Sequence, residues 1–226
     1  MIFDLIIFDC DGTLVDSEYP HNLAVSELLI EQGFAHISVD YVRDHFTGNR
    51  FSQILENLCA ETGHQFPNGF RERYVRRAAE LLPLHQKPVS GAKELVEFAG
   101  TQTKICVASN GQRDNVLYSL ESAGLLPLLD EAHIFTGLDV ENPKPAPDLF
   151  LLAAKKMGAD PARTLVIEDS VVGVTAGVAA GMTTFGFTGT HHDHESHAKA
   201  LKSLGAHQVF DALIHIQREI ESKKHL

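Results

Sequence analysis

IFDLIIFDCDGTLVDSE, residues 2–18, passes directly from an apolar segment into clustered acids. The unbroken apolar run that ends at Phe8 is typical of a strand buried on both faces. Asp9, Asp11 and Asp16 follow this run at once. A carboxylate that leaves water costs several kcal/mol unless something pairs with it. The cluster is therefore either solvated or prepared for a cation, and the rest of the chain decides between these interpretations.

The composition bounds the size and the partners of the protein. With 226 residues, of which 44% are hydrophobic, the chain is long enough for one large domain, or for one domain with a small second one. Its formal net charge of −11 argues against a nucleic-acid backbone or an anionic membrane as the main partner. A small anionic substrate is compatible with this charge, because it needs only local positive charge.

Cysteine usage and the N-terminus indicate the compartment. Cys10, Cys59 and Cys106 are odd in number and scattered, which favours a reducing environment. Asp4 interrupts the first apolar stretch, no basic segment precedes it, and no apolar run is long enough to span a membrane. We therefore expect a cytoplasmic protein, and the sequence leaves open whether it is a monomer or a homodimer.

The periodicity of apolar residues changes along the chain. Helical spacing occupies four segments after the first strand: 18–33, 39–46, 51–62 and 69–82. Farther on, strand patterns appear within 103–111, 132–137, 163–170, 183–189 and 207–210. Helical patterns fall between those strands, near 91–100, 113–123, 147–157, 171–180 and 211–222.

This alternation of strands and helices predicts an α/β fold. We expect a doubly wound, Rossmann-like parallel sheet with right-handed crossovers, into which an all-helical cap domain is inserted. Residues 1–15 and 87–226 are assigned to the α/β core, which carries the chemistry. Residues 16–86 are assigned to the cap.

Polar side chains gather where the predicted strands end. Ligands of parallel α/β sheets bind beyond these carboxyl ends. The residues expected there are Asp9, Asp11, Ser109, Asn110, Glu168 and Asp169, with Lys144 from the loop NPKPAPD. Crowded carboxylates need a hard cation, and an all-oxygen site suits Mg²⁺, which bridges carboxylates to a substrate phosphate. Gly12 allows the backbone to approach closely, and the helix start after Asp169 directs positive partial charge at this rim.

Four motifs stand in order over residues 8–170: DCDGT after the first strand, a strand ending in SN, a lysine in KPAPD, and a strand ending in ED. Together with the helical insert, they resemble the haloacid dehalogenase (HAD) superfamily. The insert is similar to the small cap of the β-phosphoglucomutase-like branch. The chain as a whole resembles the 6-phosphogluconate-phosphatase-like sugar phosphatases.

The resemblance implies a role for each motif residue. Asp9 is expected to attack phosphorus and form an aspartyl-phosphate, and Asp11 to act as general acid and base. Ser109 and Lys144 are expected to hold the phosphate. The implied ligands of Mg²⁺ are Asp9, the backbone carbonyl of Asp11, Glu168 and Asp169. The expected substrate-binding residues are Gly12, Thr13, Asn110, Arg50 and His21.

Two positions bear on the class of reaction. The dehalogenases of the superfamily lack an acid at the position of Asp11, so its presence favours phosphoryl transfer. Mutases of the β-phosphoglucomutase type carry a substrate-gripping cap lysine where this chain has Phe70. The neighbouring Arg71 could substitute for it, so this departure disfavours the mutase without excluding it. We therefore expect an Mg²⁺-dependent phosphatase for a small phosphorylated metabolite, such as a sugar phosphate or a phosphorylated sugar acid. The alternatives are a sugar-phosphate mutase and a non-enzyme that retains phosphate binding.

Two features of the cap have both a functional and a plain interpretation. Arg50, in a glycine-containing turn, and His21, near the hinge, either face the substrate or are ordinary surface side chains. The run FRERYVRRAAE contains Arg71, Arg73, Arg76 and Arg77. It is either a solvated helix face or an attraction for a doubly anionic substrate.

Two features of the core are secondary expectations. THHDHESH, residues 190–197, is interpreted as a loop after the fifth strand. Histidine tracts can bind Zn²⁺ or Ni²⁺, but no cysteine is near, so metal binding there stays open. The Lys144–Pro145 bond is expected to be cis, because such bonds occur before proline.

Overall fold

The computed structural model describes residues 3–46, 51–191 and 193–223. Within these ranges the strands are β1 (Leu5–Phe8), β2 (Val15–Asp16), β3 (Lys87–Pro88), β4 (Lys104–Ser109), β5 (Ile134–Thr136), β6 (Thr164–Glu168), β7 (Thr183–Phe187) and β8 (Gln208–Phe210). The α-helices are α1 (Glu18–Glu31), α2 (Val39–Phe46), α3 (Phe51–Thr62), α4 (Phe70–His85), α5 (Ala92–Gln102), α6 (Arg113–Ser122), α7 (Asp148–Met157), α8 (Val171–Ala179), α9 (His194–Ser203) and α10 (Leu213–Ser222). The chain divides into an α/β unit, Met1–Asp16 with Lys87–Leu226, and a helical unit, Ser17–Gln86.

The α/β unit is built on one parallel sheet in the order β5-β4-β1-β6-β7-β8. β1 lies inside this sheet, where Phe8 is beside Val107 of β4 and Ile167 of β6. The chain first adds β4 and β5 on one side of β1 and then, from β6 onward, adds strands on the other. The predicted doubly wound α/β fold is therefore confirmed. The carboxyl ends of β4, β1 and β6 stand side by side where the winding reverses, which is the usual ligand position of such sheets.

Burial on both faces of the sheet explains the unbroken apolar run of β1. Leu5 and Ile7 share an apolar cluster with residues of α7 and α8. Ile6 and Phe8 point the other way, into a cluster with α5, α6 and α10. None of these four side chains is exposed to solvent, since each has 0% accessibility. Burial of such a side chain contributes roughly 1.5–3 kcal/mol, which anchors the strand that carries the acids.

The helical unit has an apolar core of its own. Two i, i+4 rows on α1, Ala24 with Leu28 and Val25 with Leu29, are buried, and α1 packs along α4. Aromatic rings extend the core, and they are Phe34, Phe51, Phe66, Phe70 and Tyr74. None of the helices described in either unit is both long and apolar enough to cross a membrane.

The structure differs from the sequence prediction in two places. Residues 190–197, predicted as a loop, enter α9 at His194, and Asp193 caps this helix by accepting a hydrogen bond from the Ser196 amide at 2.9 Å. Leu201 is the buried residue of α9, so the helix lacks the apolar periodicity that would have revealed it. Asp16, assigned to the cap, belongs to the α/β unit, because β2 pairs with β3 in a short antiparallel ladder.

Candidate active site

Three acids meet at the carboxyl ends of β1 and β6. The two strands are parallel neighbours, so Asp9, directly after β1, comes beside Glu168, the last residue of β6, and Asp169 follows. One carboxylate oxygen from each of these residues lies within 4.8 Å of the other two. All three side chains are buried. The structure thus brings together the acids that the sequence placed at this rim.

Lys144 supplies positive charge inside this acidic cluster. Its Nζ donates hydrogen bonds to Asp9 Oδ1 at 2.7 Å, to Glu168 Oε1 at 2.8 Å and to the carbonyl oxygen of Ala108 at 2.8 Å. The ammonium group thereby uses its three donors, and it lies 4.6 Å from the centre of the Phe150 ring. Burial alone lowers the pKa of Lys144, but the charges of Asp9 and Glu168 outweigh burial and raise it. The lysine is therefore charged.

The main chain of Lys144 is held by the end of β4. Asn110 Nδ2 donates to the carbonyl oxygen of Lys144 at 2.9 Å, and Asn110 Oδ1 accepts from the Lys144 amide at 3.0 Å. The bond from Lys144 to Pro145 is cis, as the sequence analysis expects. The side-chain amide of Asn110, predicted to bind substrate, is thus engaged in holding the loop that carries the lysine.

Glu168 is held at both of its carboxylate oxygens. Oε1 accepts from Lys144, and Oε2 accepts from the amide and the hydroxyl of Ser170 at 2.7 and 2.9 Å. The Ser170 hydroxyl also caps α8 by accepting from the Gly173 amide at 3.0 Å. A Cβ on Gly173 would lie 1.8 Å from Glu168 Oε1. Glycine is therefore needed at position 173 to make room for the acid.

Asp169 is held by a different set of groups. Thr13 Oγ1 donates to its Oδ1 at 3.2 Å. A Cβ on Gly12, whose φ is +84°, would lie 2.2 Å from Asp169 Oδ2, so this acid occupies the space that glycine leaves. His191 Nε2 lies 3.1 Å from Oδ2, and His197 Nε2 faces the main-chain carbonyl oxygen of Asp169. The sequence analysis did not associate these histidines with the site.

Ser109 and Asp11 complete the rim of the site. The buried Ser109 hydroxyl accepts a hydrogen bond from the Gly111 amide at 3.0 Å. A Cβ on Gly111 would lie 3.2 Å from Ser109 Oγ and 3.7 Å from Asp11 Oδ2, so this glycine borders both groups. The Asp11 side chain reaches solvent, while desolvation on its inner side raises its pKa and Lys144 partly offsets that rise. A carboxyl group with a raised pKa is suited to carry a proton.

The charges of the cluster do not balance without a further cation. When ionised, Asp9, Glu168 and Asp169 carry three negative charges, and Lys144 is the lysine or arginine that pairs with them in the described ranges. Burial and the charge of Glu168 raise the pKa of both Asp9 and Asp169. Acids that lack a counterion behave in this way. A divalent cation that prefers oxygen ligands would remove the excess charge, so the residues present fit Mg²⁺.

Comparison with known proteins places these residues in a family. The model for the haloacid dehalogenase-like hydrolases matches residues 6–187. The chain belongs to the haloacid dehalogenase (HAD)-like hydrolases. The matched range contains the motif residues Asp9, Asp11, Ser109, Lys144, Glu168 and Asp169.

Several relatives of this HAD hydrolase are named phosphatases. A 6-phosphogluconate phosphatase from Escherichia coli (strain K12) is 29% identical over 191 residues, 84% of this chain and 85% of the relative. A validoxylamine A 7'-phosphate phosphatase from Streptomyces hygroscopicus subsp. limoneus is 29% identical over 201 residues, 88% of this chain and 92% of the relative. A solved HAD family hydrolase from Deinococcus radiodurans R1, with bound phosphate and sodium, is 32% identical with a TM-score of 0.84, covering 97% of this chain and 96% of that one. The protein is therefore a HAD phosphatase.

The predicted cap residues that the structure describes lie in the helical unit. His21 Nδ1, on α1, is 3.0 Å from the hydroxyl of Tyr74 on α4, and burial lowers the pKa of His21. Arg50 lies outside the described residues. The glutamates that pair with Arg73 and Arg77 are Glu31, Glu27 and Glu80. This pairing agrees with the interpretation of the arginine run as a solvated helix face.

Proposed function

We propose that this HAD phosphatase hydrolyses a small phosphorylated metabolite, a sugar phosphate or a phosphorylated sugar acid, through an aspartyl-phosphate on Asp9 and with Mg²⁺ as cofactor. The observation that carries the proposal is the state of the two Asp9 oxygens. Lys144 occupies Oδ1, while Oδ2 accepts no hydrogen bond from any described residue. A carboxylate oxygen left free beside a buried ammonium group is suited to act as a nucleophile.

The first half-reaction transfers the phosphoryl group to the enzyme. Asp9 Oδ2 attacks phosphorus, and the bond between phosphorus and the ester oxygen of the substrate breaks. Asp11, whose raised pKa lets it carry a proton, gives that proton to the leaving oxygen. The product alcohol departs, and the phosphoryl group stays on Asp9.

The second half-reaction returns the enzyme to its starting state. The Asp11 carboxylate takes a proton from a water molecule, whose oxygen attacks phosphorus as the bond to Asp9 breaks. Inorganic phosphate leaves, Asp9 is again a carboxylate, and Asp11 again carries a proton. One cycle therefore consumes one ester and one water.

The remaining residues of the site stabilise charge on the transferring group. Lys144 and Ser109 border the position of the phosphoryl oxygens and offset their negative charge. A bound Mg²⁺ would neutralise charge on the same oxygens and align them for transfer. Its ligands would be Asp9, Glu168, Asp169 and the main-chain carbonyl of Asp11.

Two observations support the substrate class and the hydrolytic outcome. The two phosphatase relatives are named for small phosphorylated compounds. Phe70, which stands where mutases carry a lysine, is 2% exposed and packs against the rings of Phe51 and Phe66, with centroids 5.9 and 5.1 Å away. It offers no cation to a second sugar hydroxyl, which favours transfer to water.

Phosphate release from a panel of sugar phosphates and phosphorylated sugar acids, with and without Mg²⁺, tests the proposal. We expect fast release from one or a few members and loss of release when Mg²⁺ is chelated. Asp9→Asn is the control, because it keeps the shape of the side chain and removes the nucleophile. Loss of the nucleophile should lower kcat on the order of 10⁴- to 10⁶-fold. An Asp9→Asn variant with full activity would refute the mechanism.

Two further outcomes separate the alternatives. Interconversion of hexose-phosphate isomers without phosphate release would favour the mutase, and phosphate binding without either reaction would favour the non-enzyme. The proposal also includes a cytoplasmic location and a monomeric or homodimeric state. Fractionation of cells that express the protein and sedimentation of the purified chain measure these two properties.

A further inference from the structure

The histidine tract before and within α9 lies against the acidic cluster. Thr190 Oγ1 donates to the carbonyl oxygen of Gly12 at 2.7 Å, which fixes the tract beside the turn that follows β1. His191 Nε2 lies 3.1 Å from Asp169 Oδ2, and His197 Nε2 is within hydrogen-bond distance of the Asp169 carbonyl oxygen. The two imidazole rings stack, with centroids 3.6 Å apart and an interplanar angle of 20°. The two histidines thus contact Asp169 at its side chain and at its main chain.

Asp169 is the acid of the cluster that Lys144 does not reach. Lys144 bonds to Asp9 and Glu168, and in the described part of the chain no lysine or arginine forms an ion pair with Asp169. The Asp169 side chain is 10% exposed, and the side chain of His191, which faces it, is 22% exposed. Asp169 Oδ1 accepts a hydrogen bond from the Thr13 hydroxyl at 3.2 Å. Asp169 Oδ2 also packs against Gly12, so His191 adds a directional contact to a carboxylate that its neighbours confine.

We infer that His191 and His197 are positioning residues, which fix the side chain and the main chain of Asp169 for the cation. A ligand carboxylate that accepts a hydrogen bond from an outer partner is held in one orientation, and such partners set metal affinity. The inference rests on the Mg²⁺ site of the proposed function, and it is independent of the substrate.

A separate metal site on the histidines does not fit the geometry. A structural ion of the zinc type would need four ligands, with three or more from the protein. Among the described residues, the group of three that could hold an ion is Asp9, Glu168 and Asp169, and it contains neither histidine. The 3.1 Å separation of His191 Nε2 from Asp169 Oδ2 is that of a hydrogen bond. His191 and His197 therefore act through Asp169.

Binding of Mn²⁺ to the metal-free full-length chain tests the inference, with free Mn²⁺ measured by electron paramagnetic resonance. Mn²⁺ shares the preference of Mg²⁺ for carboxylate and carbonyl oxygen. His191→Gln keeps an N–H donor near the position of Nε2, whereas His191→Asn is too short to reach Asp169. We expect the asparagine variant to bind Mn²⁺ about ten- to a hundredfold more weakly than the unchanged protein. The glutamine variant should regain most of this loss.

His194→Asn is the matched control for the tract. His194 is exposed at the start of α9, and none of its described contacts is with Asp169. This variant should bind Mn²⁺ as the unchanged protein does. Thermal melting of each metal-free protein checks folding. If His191→Asn does not melt cooperatively, His197→Gln and His197→Asn provide the same comparison at the carbonyl oxygen.

The outcomes separate this inference from the proposed function. Equal Mn²⁺ affinity of the glutamine, asparagine and control variants would overturn the inference, even if Tm falls, because a purely structural role lowers Tm alone. An unchanged protein that binds no Mn²⁺ would overturn both the inference and the proposed cofactor. If the protein binds Mn²⁺ but releases no phosphate, the proposed mechanism fails, while a difference between asparagine and glutamine still supports the inference.

Discussion

The α/β unit and the helical unit differ in the side chains that they bury beside their aliphatic cores. The α/β unit buries three carboxylates at the ends of its strands, Asp9, Glu168 and Asp169, and one lysine from a loop, Lys144. The helical unit packs a chain of rings in the order Phe34, Phe66, Phe70, Phe51 and Tyr74, with successive centroids 6.0, 5.1, 5.9 and 4.3 Å apart. Buried charge costs free energy, whereas buried rings contribute it. The buried charged residues therefore serve catalysis, and the packed rings stabilise the helical unit.

Lys144→Met is expected to have the largest effect, because it removes the cation from the buried cluster. Breaking a buried ion pair in this way costs about 3–5 kcal/mol of unfolding free energy, and the loss of the charge should also abolish phosphatase activity. Urea denaturation and phosphate release measure the two effects. Lys104→Met is the control, since Lys104 Nζ donates to the Met157 carbonyl oxygen at 2.8 Å, away from the acids. If the Lys144→Met variant is as stable as this control, Lys144 does not stabilise the buried acids of the α/β unit.

Phe70→Ala tests how much the packed rings contribute to the unfolding free energy through the helical unit. The Phe70 ring is 2% exposed, and removing a buried phenylalanine ring costs about 3–5 kcal/mol, of which part is the cavity left behind. Leu84→Ala is the matched control, because Leu84 lies on the same helix and is 73% exposed. Urea denaturation of both variants gives the comparison. Equal losses would show that the rings do not stabilise this unit as proposed.

His21 of the helical unit and the pair Asp9 and Asp169 of the α/β unit should contribute to the pH dependence of stability in opposite directions. Burial lowers the pKa of His21 below its ordinary 6.5, so its share of stability is lost as pH falls from that value through the folded-state pKa. Burial and Glu168 raise the pKa of Asp9 and Asp169 above 3.8. Their share is full below that value and is lost as pH rises through the folded-state pKa.

Unfolding free energies measured between about pH 5 and pH 8 test this opposition in the metal-free protein. His21→Gln should flatten the acid side of the profile, and Asp169→Asn should flatten the side toward neutral pH. Each effect is limited to about 1.4 kcal/mol per unit of pKa shift. Profiles that keep their slopes in both variants would contradict the opposite contributions of His21 and Asp169.

Arg77→Ala should have the smallest effect. The Arg77 side chain is 39% exposed, and its pairs with Glu27 and Glu80 lie at the surface, so the loss should stay below about 1 kcal/mol. Arg76→Ala, a neighbour in the same run, is the control for substrate attraction. If the run only covers a solvated helix face, neither substitution changes KM for the best substrate. A large rise in KM for Arg76→Ala would favour attraction of an anionic substrate instead.

The sequence predicts the sheet and the lysine-held acids because both follow from local patterns. β1, β4 and β6 each end in a polar motif, and the carboxyl ends of parallel strands meet at one rim. Asp9, Lys144 and Glu168 could thus be placed together without any structure. Ser170, which donates to Glu168, and Gly173, which leaves room for it, belong to the same short segment.

The histidine contacts to Asp169 could not be predicted in the same way. His191 is separated from Asp169 by a complete helix and strand, and its contact depends on how the chain returns after β7. Residues 190–197 carry no apolar period, so the start of α9 was also missed. The signal that was present is Asp193, a helix-capping residue three positions before Ser196.

The short β2–β3 ladder has a consequence for modularity. Val15 lies opposite Pro88 and Asp16 opposite Lys87, so the points where the chain leaves and re-enters the α/β unit are neighbours. For the α/β unit, the inserted segment is a loop whose ends are already joined, and loop-closure entropy grows slowly with length. Inserts of different length or fold could therefore be grafted at this junction, and the catalytic sheet would need no redesign to accept them.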